Sequence, residues 1–233
     1  MMKSLLLAAS LFAAAAVQAA PPQQMSLVYD LYRNGHKLGQ VSDTFTRDGS
    51  RYTLVSETRA TGPLKALWPG NIRLESSGEV TKAGLRPTQF RHARSDAPHK
   101  LATARLDWKQ GLIAWEYKGE KWEQNGLQAG TQDQLSQGYQ FMFLPKLPAE
   151  LSQQVVSGKK LNDYRYARRD GGTLQVPAGQ YATQVFERVL GPGDEKAITV
   201  WVAPAHDNLP VQIRVTEDKV TLEQRLASVT IKK

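Results

Sequence analysis

Turn signals punctuate this chain at short intervals, and each one separates two stretches of alternating apolar and polar residues. Asn34-Gly35 and Asp48-Gly49 are the sharpest of them, because a two-residue hairpin turn needs positive φ at its centre and Asn-Gly or Asp-Gly supplies it. Leu27, Tyr29 and Leu31 alternate with Val28, Asp30 and Tyr32 before the first turn, and Tyr52 and Leu54 alternate with Thr53 and Val55 after the second. A period of two over such runs is the mark of a strand with one buried face.

The same grammar continues to the C-terminus. Strand pairs are expected over 72–82 and 85–94 about Ala83-Gly84, and over 100–108 and 112–118 about Gln110-Gly111. Further strands are expected at 161–168, with a reversal at Gly171-Gly172, and at 181–190, 196–203, 210–217 and 219–231. That gives about eleven strands with short connections, and no spacing suited to a βαβ crossover. The predicted fold class is mainly β: one large curved antiparallel sheet, open or closed like a barrel.

One stretch departs from period two. In TQDQLSQGYQFMFLP, Thr131 or Asp133 can cap a helix, Leu135, Tyr139 and Met142 follow at helical spacing, Phe143 and Leu144 widen the stripe, and Pro145 ends it. A helix over 132–144 is predicted, packed on the concave face of the sheet. The segment from Pro145 to Gly158 reads as a connector.

Residues 1–19 carry Lys3, an apolar run from Leu5 to Val17 and a small-residue end at Val17-Gln18-Ala19, the pattern of a secretory signal. Cleavage after Ala19 is expected, leaving 20–233 as a single β-rich domain of the periplasm. No later segment is apolar enough to span a bilayer. With no cysteine in the chain, neither an acylated lipoprotein thiol nor a disulfide is available. The formal charge of +8 favours anionic partners such as lipid headgroups over cationic ones, and no nucleic-acid motif accompanies it.

Motifs for catalysis are sparse. His206-Asp207 sits in the turn PAHDNLP without further ligands, and the four histidines are scattered, so no metal site or cofactor is expected. No G-x-S-x-G elbow occurs. Asp30, Asp43, Glu57, Glu75, Glu116 and Glu187 fall on predicted strands, and two of them facing inward would make a glycosidase-like pair.

Apolar mass is the more informative feature. Leu64, Leu67 and Trp68 lie in an unusually apolar loop, and Trp115 belongs to a tryptophan cluster with Trp108 and Trp122. With Leu135, Tyr139, Met142 and Phe143 they are the candidate lining of a cavity. The 64–68 loop would gate that cavity, and Arg91, Arg94, Arg165, Arg168 and Arg169 would attract an anionic headgroup. The expectation is a non-catalytic carrier or binding module for an apolar or amphipathic envelope ligand. A hydrolase of envelope glycan or lipid is the first alternative. The second is a protein-interaction module using an exposed sheet edge, with an envelope protein as partner.

Four motifs taken in order carry a resemblance: Tyr29–Gly39 (YDLYRNGxxLG), Gln132–Ser136 (QDQLS), Pro177–Thr183 (PAGxYxT) and the late WVAP…LPVxI of Trp201–Ile213. Together they resemble exported bacterial proteins of the domain-of-unknown-function family DUF3108. The resemblance spans most of the chain and implies a β-rich periplasmic domain, with no catalytic residues to transfer.

Overall fold

The computed structural model describes residues 21–62, 65 and 70–233. The expected signal segment and the candidate gate Leu64, Leu67 and Trp68 lie outside the described residues.

Among the described residues, fifteen strands form one sheet in the order β8-β7-β6-β5-β4-β3-β2-β1-β15-β14-β13-β12-β11-β10-β9. The first eight are β1 (Gln24–Arg33), β2 (His36–Asp48), β3 (Arg51–Ala60), β4 (Ile72–Thr81), β5 (Gly84–Arg94), β6 (Ala102–Asp107), β7 (Leu112–Tyr117) and β8 (Glu120–Asn125). After them come β9 (Gln132–Asp133), β10 (Glu150–Val156), β11 (Leu161–Val176), β12 (Gly179–Arg188), β13 (Ala197–Ala203), β14 (Leu209–Glu217) and β15 (Val220–Lys232). Chain neighbours pair as antiparallel hairpins except β8 and β9, which end the sheet on opposite sides, and β1 joins β15, so the first and last strands meet mid-sheet. Among the described residues the one parallel pair is β9 with β10.

Strand register sorts the side chains. Met25, Leu27 and Tyr29 oppose Phe45, Asp43 and Val41 across β1–β2, and all six face inward. The row continues through Leu54, Ser76, Phe90, Ala104 and Trp115, each buried and each opposite the next. The outer face carries ion pairs instead, including Arg73 with Glu57 and Glu75.

The predicted helix is shorter and more enclosed than its stripe implied. Gln132 and Asp133 are strand, α1 covers only Ser136–Tyr139, and a 3-10 turn follows over Gln140–Phe143. Asp133, one of the two expected caps, accepts the N–H groups of Leu135 and Ser136 through Oδ1 at 2.9 and 2.8 Å. Tyr139, Met142 and Phe143 pack into the main core, while Phe141 enters a second cluster with Tyr166, Phe186 and Val202. Buried on both sides, the segment is a plug within the curled sheet rather than an amphipathic helix laid on it.

Three further expectations need correction. The connector 145–158 contains β10, hidden because its buried end includes Gln153 and Gln154 and lacks alternation. Edge strand β8 is exposed along most of its length, so burial left no periodic mark on it. Gly171-Gly172 does not reverse the chain. β11 runs through it as a bulge, with Gly172 at φ +61, and a Cβ on Gly171 would stand 2.3 Å from Thr183 Oγ1.

The sheet is not closed by strand pairing, and side chains bridge its end instead. Gln132 Nε2 donates to Leu85 O at 2.8 Å, Leu85 N donates to Gln140 Oε1 at 2.7 Å, and Ser76 donates to Asp133. These bonds tie the end strand β9 and the plug to β4 and β5. Strands β6 and β7 extend past this junction, where Trp115 Nε1 donates to Ser157 O at 2.9 Å and Gly158 abuts Ala102. The seam thus protects a sheet end that would otherwise present unpaired backbone.

Candidate functional site

The seam opens at one end of the curled sheet into a cleft of about 690 Å³. One wall comes from the ends of β5, β6 and β7 with His92, Arg94, Lys100, Ala102 and Tyr117. The other comes from the β10–β11 turn and from β12 to β14, with Val155, Lys159, Lys160, Tyr164, Arg188 and Lys196. Gln134 and Gln137, flanking the start of α1, border it too, and Tyr166 donates to Gln137 Oε1 at 3.1 Å. This is the mouth of a barrel-like fold, a common place for a small-molecule site, and its size suits one.

The mouth is electropositive. Six Lys and Arg side chains line it against three carboxylates, those of Asp194, Glu195 and Glu217. Lys159 lies 4.1 Å from the Tyr117 ring centroid, and its hydrogen bond, with the charges of Lys118 and Lys100, draws the Tyr117 hydroxyl below its ordinary pKa. Burial pushes the His92 imidazole down, with Arg94 and Lys159 adding to the effect. His92 Nε2 is buried without a hydrogen-bond partner.

Arg188 is the most enclosed of the cations. Its side chain is only 7% exposed, and its guanidinium sits 4.3 Å from the Tyr164 ring centroid. Nη1 donates to Lys196 O and Nη2 donates to Asp194 Oδ1 at 2.6 Å. The remaining donor, Nε, is buried and unpartnered.

Of the arginines expected to attract a headgroup, Arg94 alone borders the mouth, where it pairs with Asp96 at 2.9 Å. Arg91 faces outward beside Glu75 at 3.9 Å. Arg165 is exposed on β11, Arg168 donates to Leu147 O at 2.9 Å, and Arg169 pairs with Glu187 at 2.6 Å. The cations Lys100, Lys159, Lys160, Arg188 and Lys196 escape sequence reasoning because four separate segments deliver them. Only Gly158-Lys159-Lys160, a basic pair after a turn glycine, left a local mark.

The apolar candidates that the structure describes come together and fill space. Leu135, Tyr139, Met142, Phe143 and Trp115 belong to one buried cluster, with Phe143 on Phe45 at 5.1 Å between centroids and Trp115 stacked on Trp122 at 6.0 Å. Of the four buried carboxylates among the described residues, none of which lines the mouth, Asp30 and Glu223 pair with Lys37 and with Arg214 and Arg225, while Asp43 and Asp133 face no cation. Tyr139 donates to Asp43, while Asp133 is engaged by Ser76 and two backbone N–H groups. Asp207, in the HisAsp turn, pairs with Lys233 at 2.7 Å. Among the described residues no three His, Asp or Glu side chains cluster as a metal site would require, and no helix is long and apolar enough to cross a membrane.

Comparison with solved structures finds the same architecture elsewhere. A crystal structure described as a beta-barrel-like protein of domain of unknown function DUF1849 from Brucella abortus superposes with a TM-score of 0.55 at 12% identity, covering 92% of this chain and all of that one. That likeness is one of fold. No curated protein matches the sequence. The family model described as protein of unknown function DUF3108 matches residues 28–225, so the chain belongs to the DUF3108 family.

Proposed function

We propose that this protein is a non-catalytic binding or carrier protein of the periplasm, and that its ligand is an anionic amphipathic molecule of the cell envelope held at the barrel mouth. The observation that carries the proposal is the mouth itself, where cations outnumber carboxylates two to one around an otherwise partly apolar wall of Ala102, Tyr117, Val155 and Tyr164. Such a lining suits a ligand with a charged group and an apolar body, since the charge is attracted by the field and the body removes apolar surface from water. The well-packed plug supports a role for the interior as scaffold, with the ligand seated where the sheet ends are bridged.

Native mass spectrometry of protein purified gently from a periplasmic extract tests this reading. A bound mass that disappears on organic extraction, and returns on incubation with an anionic lipid extract but not a zwitterionic one, is the expected result. An unliganded mass under all three conditions would overturn it.

A further inference from the structure

The strongest unused feature of the mouth is the half-engaged fork of Arg188. A guanidinium presents two parallel N–H groups along its Nε–Nη2 edge, a geometry matched to two oxygens of a carboxylate or phosphate. Asp194 takes only Nη2 of that edge. Its other oxygen, Oδ2, accepts the Gly191 N–H at 2.8 Å within the connection between β12 and β13, which leaves Nε buried and without a partner. An unpaired buried donor is costly, and a ligand that spans both nitrogens removes the cost.

We propose that Arg188 is the oxyanion receptor of the mouth, and that the carboxylate or phosphomonoester of an amphipathic ligand displaces Asp194 to take both Nε and Nη2. The inference rests on the reading of the mouth as an anion site and names its anchor. Enclosure makes Arg188 the fixed member of the pair. Its side chain is 7% exposed against 34% for Asp194, its ring-side face is held over Tyr164, and Nη1 is spent on Lys196 O. Asp194, on a glycine-rich connection, is the member that solvent reaches.

The test compares three variants with the wild type, using dansyl-undecanoate by fluorescence and octyl phosphate by calorimetry as carboxylate and phosphate probes. Asp194→Asn keeps an acceptor for Gly191 but removes the competing charge, so binding should tighten by about tenfold, the difference between a charge-assisted and a neutral competitor. Asp218→Asn removes the same charge from the exposed turn beside Glu217, outside the lining of the mouth and without touching Arg188, and should change affinity by no more than about twofold. Arg188→Lys, which keeps the charge but loses the fork, should weaken binding by about tenfold or more. Whichever probe shows this pattern identifies the oxyanion class. Equal gains from Asp194→Asn and Asp218→Asn, or undiminished binding by Arg188→Lys, would overturn the assignment of Arg188 while leaving the basic mouth intact. Failure of both probes to bind the wild type and Asp194→Asn would overturn the reading of the mouth itself.

Discussion

Asp43 sits inside the curled sheet with one carboxylate oxygen, Oδ1, that meets no donor. Burial pushes its carboxyl up to about 6, although the Ser56 and Tyr139 hydroxyls favour the charged form. Asp133 is raised to about 6 by the same cause. For a group whose folded pKa exceeds its unfolded value, the stabilising form is the protonated one. The contribution is complete below the ordinary value of 3.8 and is lost as pH rises through about 6. For Asp43 the loss is on the order of 3 kcal/mol. Asp43→Asn should therefore gain stability over the wild type progressively from about pH 4 to about pH 6 and hold that gain above it. Urea unfolding across that range checks it, and a difference independent of pH would show that Asp43 titrates normally. Sequence alternation marked Asp43 as a strand carboxylate, but parity alone could not choose its face. Its inward side follows from register with Leu27 and Ser56.

At the scale of elements, the seam is the least conventional part of the fold, since side-chain amides do there what a strand ladder does elsewhere. Gln140 Oε1 receives the buried Leu85 N–H, and Gln140→Leu should cost about 1–3 kcal/mol by orphaning that donor. Gly158→Ala is the steric counterpart. Its Cβ would stand 2.6 Å from Ala102 Cβ, and relief of that overlap should cost about 1–3 kcal/mol and raise hydrogen exchange in β9 and β10 first. Unchanged protection in those strands would show that the junction tolerates the methyl without separating. Hairpins such as β1–β2 and β2–β3 were legible because Asn-Gly and Asp-Gly fix a turn locally and one buried face writes period two into the strands. The plug was half legible. Leu135, Tyr139 and Met142 gave helical spacing, yet Gln132 and Asp133 took strand pairing with Val155 and Val156, a tertiary contact that no local pattern encodes.

At the largest scale, the fifteen strands of the described residues and a buried plug make a frame whose opening gathers charge from distant segments. The surplus of +8 was visible in composition, but the gathering of part of it at one end required knowing that Lys100, Lys159 and Arg188 converge. Membership of DUF3108 and the curved antiparallel sheet could be reached from motifs and turns, whereas the mouth could not. The most direct measurement is photocrosslinking with an anionic amphiphile bearing a diazirine beside its charged group, followed by peptide mapping. The account predicts adducts on residues 155–164 and 188–196 that fade as salt is raised. Adducts confined to the outer face of β3 to β5, or indifferent to salt, would contradict it.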